Sequence, residues 1–82
     1  MATREQNERR FKQWQDFADG GRRYWTDRRG IISGFQRLIK IVDEHEKTMQ
    51  IVQEIYNEEG ILIERHQKYP VDSGHERIVD EE

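Results

Sequence analysis

The sequence predicts a small α+β domain, with an N-terminal helix over about residues 3–18 packed on a four-stranded antiparallel β-meander over about residues 22–69. Three observations carry that expectation. β-Branched residues crowd the middle of the chain (Ile39, Ile41, Val42, Thr48, Ile51, Val52, Ile55, Ile61, Ile63), as half-buried strands favour. In Asn57-Glu58-Glu59-Gly60-Ile61, glycine stands where a hairpin closed by a G1 bulge needs a left-handed residue. Thr3 followed by Gln6 has the spacing of a helix capping box, in which each side chain reaches the other residue's backbone N–H.

The helix is expected to start at that box and to stop at Asp19-Gly20-Gly21, since glycine readily closes a helix C-terminus. Its apolar stripe is Phe11, Trp14, Phe17 and Ala18, and the first two turns are polar all round. Strands then follow at Arg22–Arg28, Phe35–Val42, Thr48–Tyr56 and Ile61–Tyr69, with Pro70 ending the last. Asp43-Glu44-His45-Glu46-Lys47 interrupts the apolar pattern as a hairpin loop. If Asn57 and Ile61 close the Gly60 turn, Tyr56 faces Leu62, Ile55 faces Ile63, and Glu54 meets the like charge of Glu64. A competing pattern exists, because Phe35, Leu38, Ile39, Val42, Met49, Val52 and Tyr56 also recur at helical spacings. Those residues would make the chain mainly α, with one long helix over about residues 35–58. The β-branched density and the Gly60 turn outweigh it. Residues 71–82, ending Asp80-Glu81-Glu82 with a small Ile78-Val79 patch, read as a loose acidic tail.

Composition bounds the rest. Eighty-two residues without a Pro-, Gly- or Ser-rich divider make one domain, residues 1–82, and 33% hydrophobic against 38% charged residues is a lean supply for its core. The absence of cysteine excludes disulfides and thiol chemistry. The polar N-terminus and the longest apolar run, Ile61-Leu62-Ile63, offer neither a secretory signal nor a membrane span, so a soluble, cytoplasmic protein is expected. The net charge of −3 hides a gradient, with eight basic and five acidic residues in 1–30 but six basic and twelve acidic in 31–82.

No enzymatic or cofactor motif emerges. Ser33 and Ser73 precede glycines outside any nucleophile-elbow pattern, and Gly20-Gly21 lacks the Lys-Ser/Thr of a phosphate-binding loop. Glu64, His66, Asp72 and His75 cluster in sequence but match no standard metal spacing, so no metal and no cofactor is expected. The leading expectation is a non-enzymatic protein-interaction module, binding a protein partner or itself through Phe11, Trp14, Phe17, Trp25 and Tyr69, because large aromatics anchor interfaces when exposed. The alternative is single-stranded RNA binding through segment 22–29, where Arg22, Arg23, Arg28 and Arg29 would meet phosphates and Tyr24 or Trp25 would stack on a base.

Overall fold

The computed structural model describes residues 2–29 and 34–77. A short helix α1 (Arg4–Arg10) precedes β1 (Gln13–Asp16), β2 (Arg22–Arg29), β3 (Phe35–Val42), β4 (Thr48–Tyr56), β5 (Leu62–Tyr69) and β6 (Gly74–Arg77). The strands form one antiparallel sheet in chain order, β1 to β6. The meander is the one read from the sequence, with the bounds of β2 to β5 within one residue of expectation, but it has six strands instead of four, a further one lying at each edge. The long helix over residues 35–58 does not form. Ile31, Ile32, Ser33 and the residues of the tail from Ile78 lie outside the described residues.

The capping box forms as expected: Gln6 N–H donates to Thr3 Oγ1 and Thr3 N–H to Gln6 Oε1. The helix is far shorter than expected, however, because Asp19-Gly20-Gly21 closes a hairpin instead of a helix. Phe17 N–H donates to Gly21 O and Gly20 N–H to Phe17 O, with Gly20 at φ 92°. A left-handed glycine serves a helix terminus and a hairpin bulge equally well, so the sequence signal was ambiguous in kind. Residues 13–16 therefore pair with β2, and Phe11, Trp14 and Phe17 share no helical face.

The same five-residue hairpin occurs twice more. Asn57 N–H donates to Ile61 O and Gly60 N–H to Asn57 O, the closing pair expected from the sequence. Asp43 N–H donates to Lys47 O and Glu46 N–H to Asp43 O. Asp43 and Asn57 brace their turns alike, each accepting two backbone N–H groups on its side-chain oxygen. Beyond the Gly60 turn, Tyr56 does face Leu62, but a bulge at Ile63 then shifts the register. Ile55 faces Glu64, and Glu54 faces Arg65 in place of the expected Glu64. The extra residue turns a like-charge pair into an opposite-charge one. The tail is likewise not loose throughout, since β6 pairs Glu64↔Arg77 to Gln67↔Gly74 with β5.

The apolar core is small. Phe11, just past α1, packs with Tyr24 and Val42, and Leu38 lies against them. On the opposite face Trp25, Ile39 and Val52 fall in register across β2, β3 and β4, with Ile39 and Val52 buried. The helix does not dock through an aromatic stripe. It docks through polar groups gathered at Glu46, which occupies the left-handed position (φ 67°) that glycine fills in the other two turns. A non-glycine residue there costs on the order of 1–2 kcal/mol. Offsetting this, the buried Glu46 carboxylate accepts from Asn7 Nδ2 (3.0 Å), Arg4 Nε (3.2 Å) and the Tyr24 hydroxyl. Lys40 Nζ completes the cluster by donating to Asn7 Oδ1 at 2.9 Å.

Burial by itself would raise the Glu46 pKa, but the donations from Tyr24, Asn7 and Arg4 outweigh it and hold the carboxyl below its ordinary value. A depressed folded-state pKa contributes stability above the unfolded-state value that is lost as pH falls through the folded one. Glu46→Gln keeps the shape and removes the charge, so it is expected to cost roughly 1–3 kcal/mol at neutral pH. Denaturant titration of both proteins across pH checks this: the gap should close as pH drops below about 4.3.

Candidate functional site

The expected interaction residues separate once folded. Phe11 is core, at 2% exposure, and is withdrawn from any surface. Trp14 and Phe17 are exposed, on β1 and its turn, while Tyr69 is exposed at the end of β5, across the sheet. Trp25 is half-buried beneath the Arg23 guanidinium, 4.7 Å from its ring centre. The structure thus scatters the five aromatics instead of forming one patch, and even Trp14 and Phe17, three residues apart at one hairpin, fall on opposite faces by alternation.

The basic–aromatic segment separates too. Alternation along β2 sends Tyr24 into the core and leaves it fully buried, with its hydroxyl on Glu46. Burial and that bond push the Tyr24 pKa up to about 12. Arg22 is buried as well. Its guanidinium donates to Asp16 (2.5 Å) and Glu8 (2.6 Å) and lies 5.3 Å from the Trp14 ring centre. Burial lowers the Arg22 pKa, but these bonds more than reverse it and leave the group firmly charged. Neither residue is available to a nucleic acid. Arg28 and Arg29 remain exposed, and Arg23 half-exposed.

Among the residues weighed for metal, His66 Nε2 and Asp72 contact each other directly, and Asp72 also accepts the Gly74 N–H (2.9 Å). Those bonds brace the β5–β6 connection and hold the Asp72 pKa below its usual value. His75 sits opposite His66 in register. No group of three or more metal-ligating side chains is assembled among the described residues.

What the arrangement does offer is an edge. Among the described residues β1 has a neighbour on one side only, and all four of its residues are exposed. Phe17 N–H points inward to Gly21 O, so by alternation Gln15 and Gln13 direct their backbone groups toward β2. Trp14 and Asp16 direct theirs outward, as unpaired donors and acceptors. The sequence reading missed this edge because it placed residues 13–16 in a helix. The signal was present, since Phe17-Ala18-Asp19-Gly20-Gly21 repeats the spacing of the Gly60 turn.

No protein-family model, no curated protein sequence and no solved structure matches this chain.

Replacing Arg22 by methionine is expected to destabilise the fold by about 1–3 kcal/mol, because Glu8 and Asp16 lose their partner and α1 loses a tie to β2. Arg23→Met, on the other face, should stay within about 0.5 kcal/mol. Equilibrium denaturation of the two variants checks the contrast.

Proposed function

We propose that this chain is a non-enzymatic protein-interaction module that binds by extending its sheet at β1. The observation carrying this reading is the outward-directed backbone of Trp14 and Asp16 on an exposed edge strand, beside the exposed Trp14 ring. Such an edge takes an additional strand through main-chain hydrogen bonds, while neighbouring side chains select which strand.

The occupant that fits is a second copy of this chain. Antiparallel pairing about a two-fold axis through Trp14 sets Trp14 opposite Trp14, Gln13 opposite Gln15, and Lys12 opposite Asp16. The two aromatic rings meet, and the two end pairs carry opposite charges. Asp16 retains capacity for this role, since its side chain is 65% exposed while bonded to Arg22. Because Trp14 and Asp16 already point outward, the register needs no rearrangement of β1. The contact is short, which suits a reversible dimer better than an obligate one.

The Lys12→Glu substitution sets a second carboxylate against Asp16 at both ends, and Trp14→Lys sets two cations on the axis. Each should weaken self-association about tenfold or more at low salt, with far-ultraviolet circular dichroism unchanged. Sedimentation equilibrium of the full chain measures this. A wild-type protein that stays monomeric, or dimers indifferent to both substitutions, would overturn the reading.

A further inference from the structure

A second feature lies on the sheet face that carries Tyr24, running diagonally from β2 to β5. Leu38 and Gln36 of β3, Gln53 of β4, Arg28 of β2 and Lys68 of β5 line a shallow recess of about 100 Å³. Register explains the gathering. Leu38 faces Gln53 across β3 and β4, and Arg28 faces Gln36 across β2 and β3, so one face presents all four. Lys68 joins them at the β5 bulge, where the pairing steps from Val52↔Gln67 to Ile51↔Tyr69 and leaves Lys68 without a cross-strand partner of its own on β4.

The chemistry of this lining is one-sided. No carboxylate is part of it, and neither Arg28 nor Lys68 has an ion-pair partner among the described residues. Gln53 Nε2 donates to Gln36 Oε1 at 2.8 Å, which engages the Gln36 carbonyl and leaves its amide NH₂ group as a donor beside the recess. Asp72, whose titration Lys68 influences, is already held by His66 and the Gly74 N–H. The recess is therefore lined by residues that carry a guanidinium, an ammonium and two amides, with Leu38 as its apolar member, in a chain whose net charge is −3.

We propose that this recess binds a phosphate group, with Arg28 and Lys68 supplying charge and the Gln36 amide fixing orientation. Two cations from strands on opposite sides of Leu38 complement a compact dianion, and the planar guanidinium can bond two of its oxygens at once. The inference stands apart from sheet extension at β1, because it uses none of the same residues. The phosphate source is either a free ion or monoester, or the backbone of a single strand, and the titration separates these.

The test is a titration of the isotope-labelled full chain with inorganic phosphate at constant ionic strength, followed by nuclear magnetic resonance. The Gln36 and Gln53 side-chain amides and Arg28 Nε should shift together and saturate, with a dissociation constant on the order of 1–10 mM. The double variant Arg28→Gln, Lys68→Gln should weaken binding at least about tenfold, whereas Arg29→Gln, one residue outside the lining, should change it little. A short single-stranded oligonucleotide that moves the same signals more tightly than phosphate would identify the strand backbone as the source. Weaker or absent response to it would identify the free ion or monoester. Shifts that fail to appear at these side chains, or that persist in the double variant, would overturn the proposal.

Discussion

The fold depends on a carboxylate in a place that backbone preference reserves for glycine. Glu46 takes the left-handed position of the β3–β4 turn and directs its carboxylate to Tyr24, Asn7 and Arg4. Without that arrangement α1 keeps only the Glu8–Arg22 ion pair and Phe11, the one large apolar group it brings to the core, just past its C-terminus. A lean chain has substituted a buried polar cluster for the aromatic helix–sheet interface that larger domains use. Such clusters specify geometry only when every member is satisfied, and Lys40, Asn7, Tyr24, Glu46 and Arg4 bond one another in an unbroken chain.

The same substitution of polar for apolar ties governs the charges. The basic excess in the first thirty residues suggests an anion-facing segment, yet folding turns part of it inward. Arg22 neutralises Glu8 and Asp16, tying helix, β1 and β2 together, and Arg37 pairs with Asp27 on the other face. Other cations stay outside, among them Arg28 and Arg29 at the end of β2 and Lys68 near the end of β5. Alternation divides the run, sending Arg22 and Tyr24 to the face that α1 covers and Arg23 and Trp25 to the other, while Arg28 shares the first face but lies beyond the buried cluster.

The sequence made the central meander legible because its signals were of one kind. β-Branched density, the Gly60 turn and the loop at 43–47 all agreed, and the strands fell within a residue of expectation. The N-terminal third misled because Gly20-Gly21 supports either a helix end or a hairpin. Four residues of β1 are too few to show a period. The Ile63 bulge was foreshadowed only by the discomfort of Glu54 facing Glu64. Least legible was the Glu46 cluster, since nothing local reveals that a glutamate in a charged loop reaches Asn7 and Tyr24 across the fold. The edge at β1 and the recess beside Leu38 are likewise products of register, which sequence alone leaves open.

Replacing Glu46 by glycine isolates the central interaction, because glycine suits the left-handed turn and removes only the carboxylate. Amide hydrogen exchange then reads the helix and the hairpin separately. The Asn7 and Phe11 N–H groups, bonded to Thr3 O and Asn7 O, should lose most of their protection, while Asp43 and the amides of β3 and β4 keep theirs. Undiminished protection of Asn7 and Phe11 in that variant would contradict the claim that Glu46 holds the helix to the sheet.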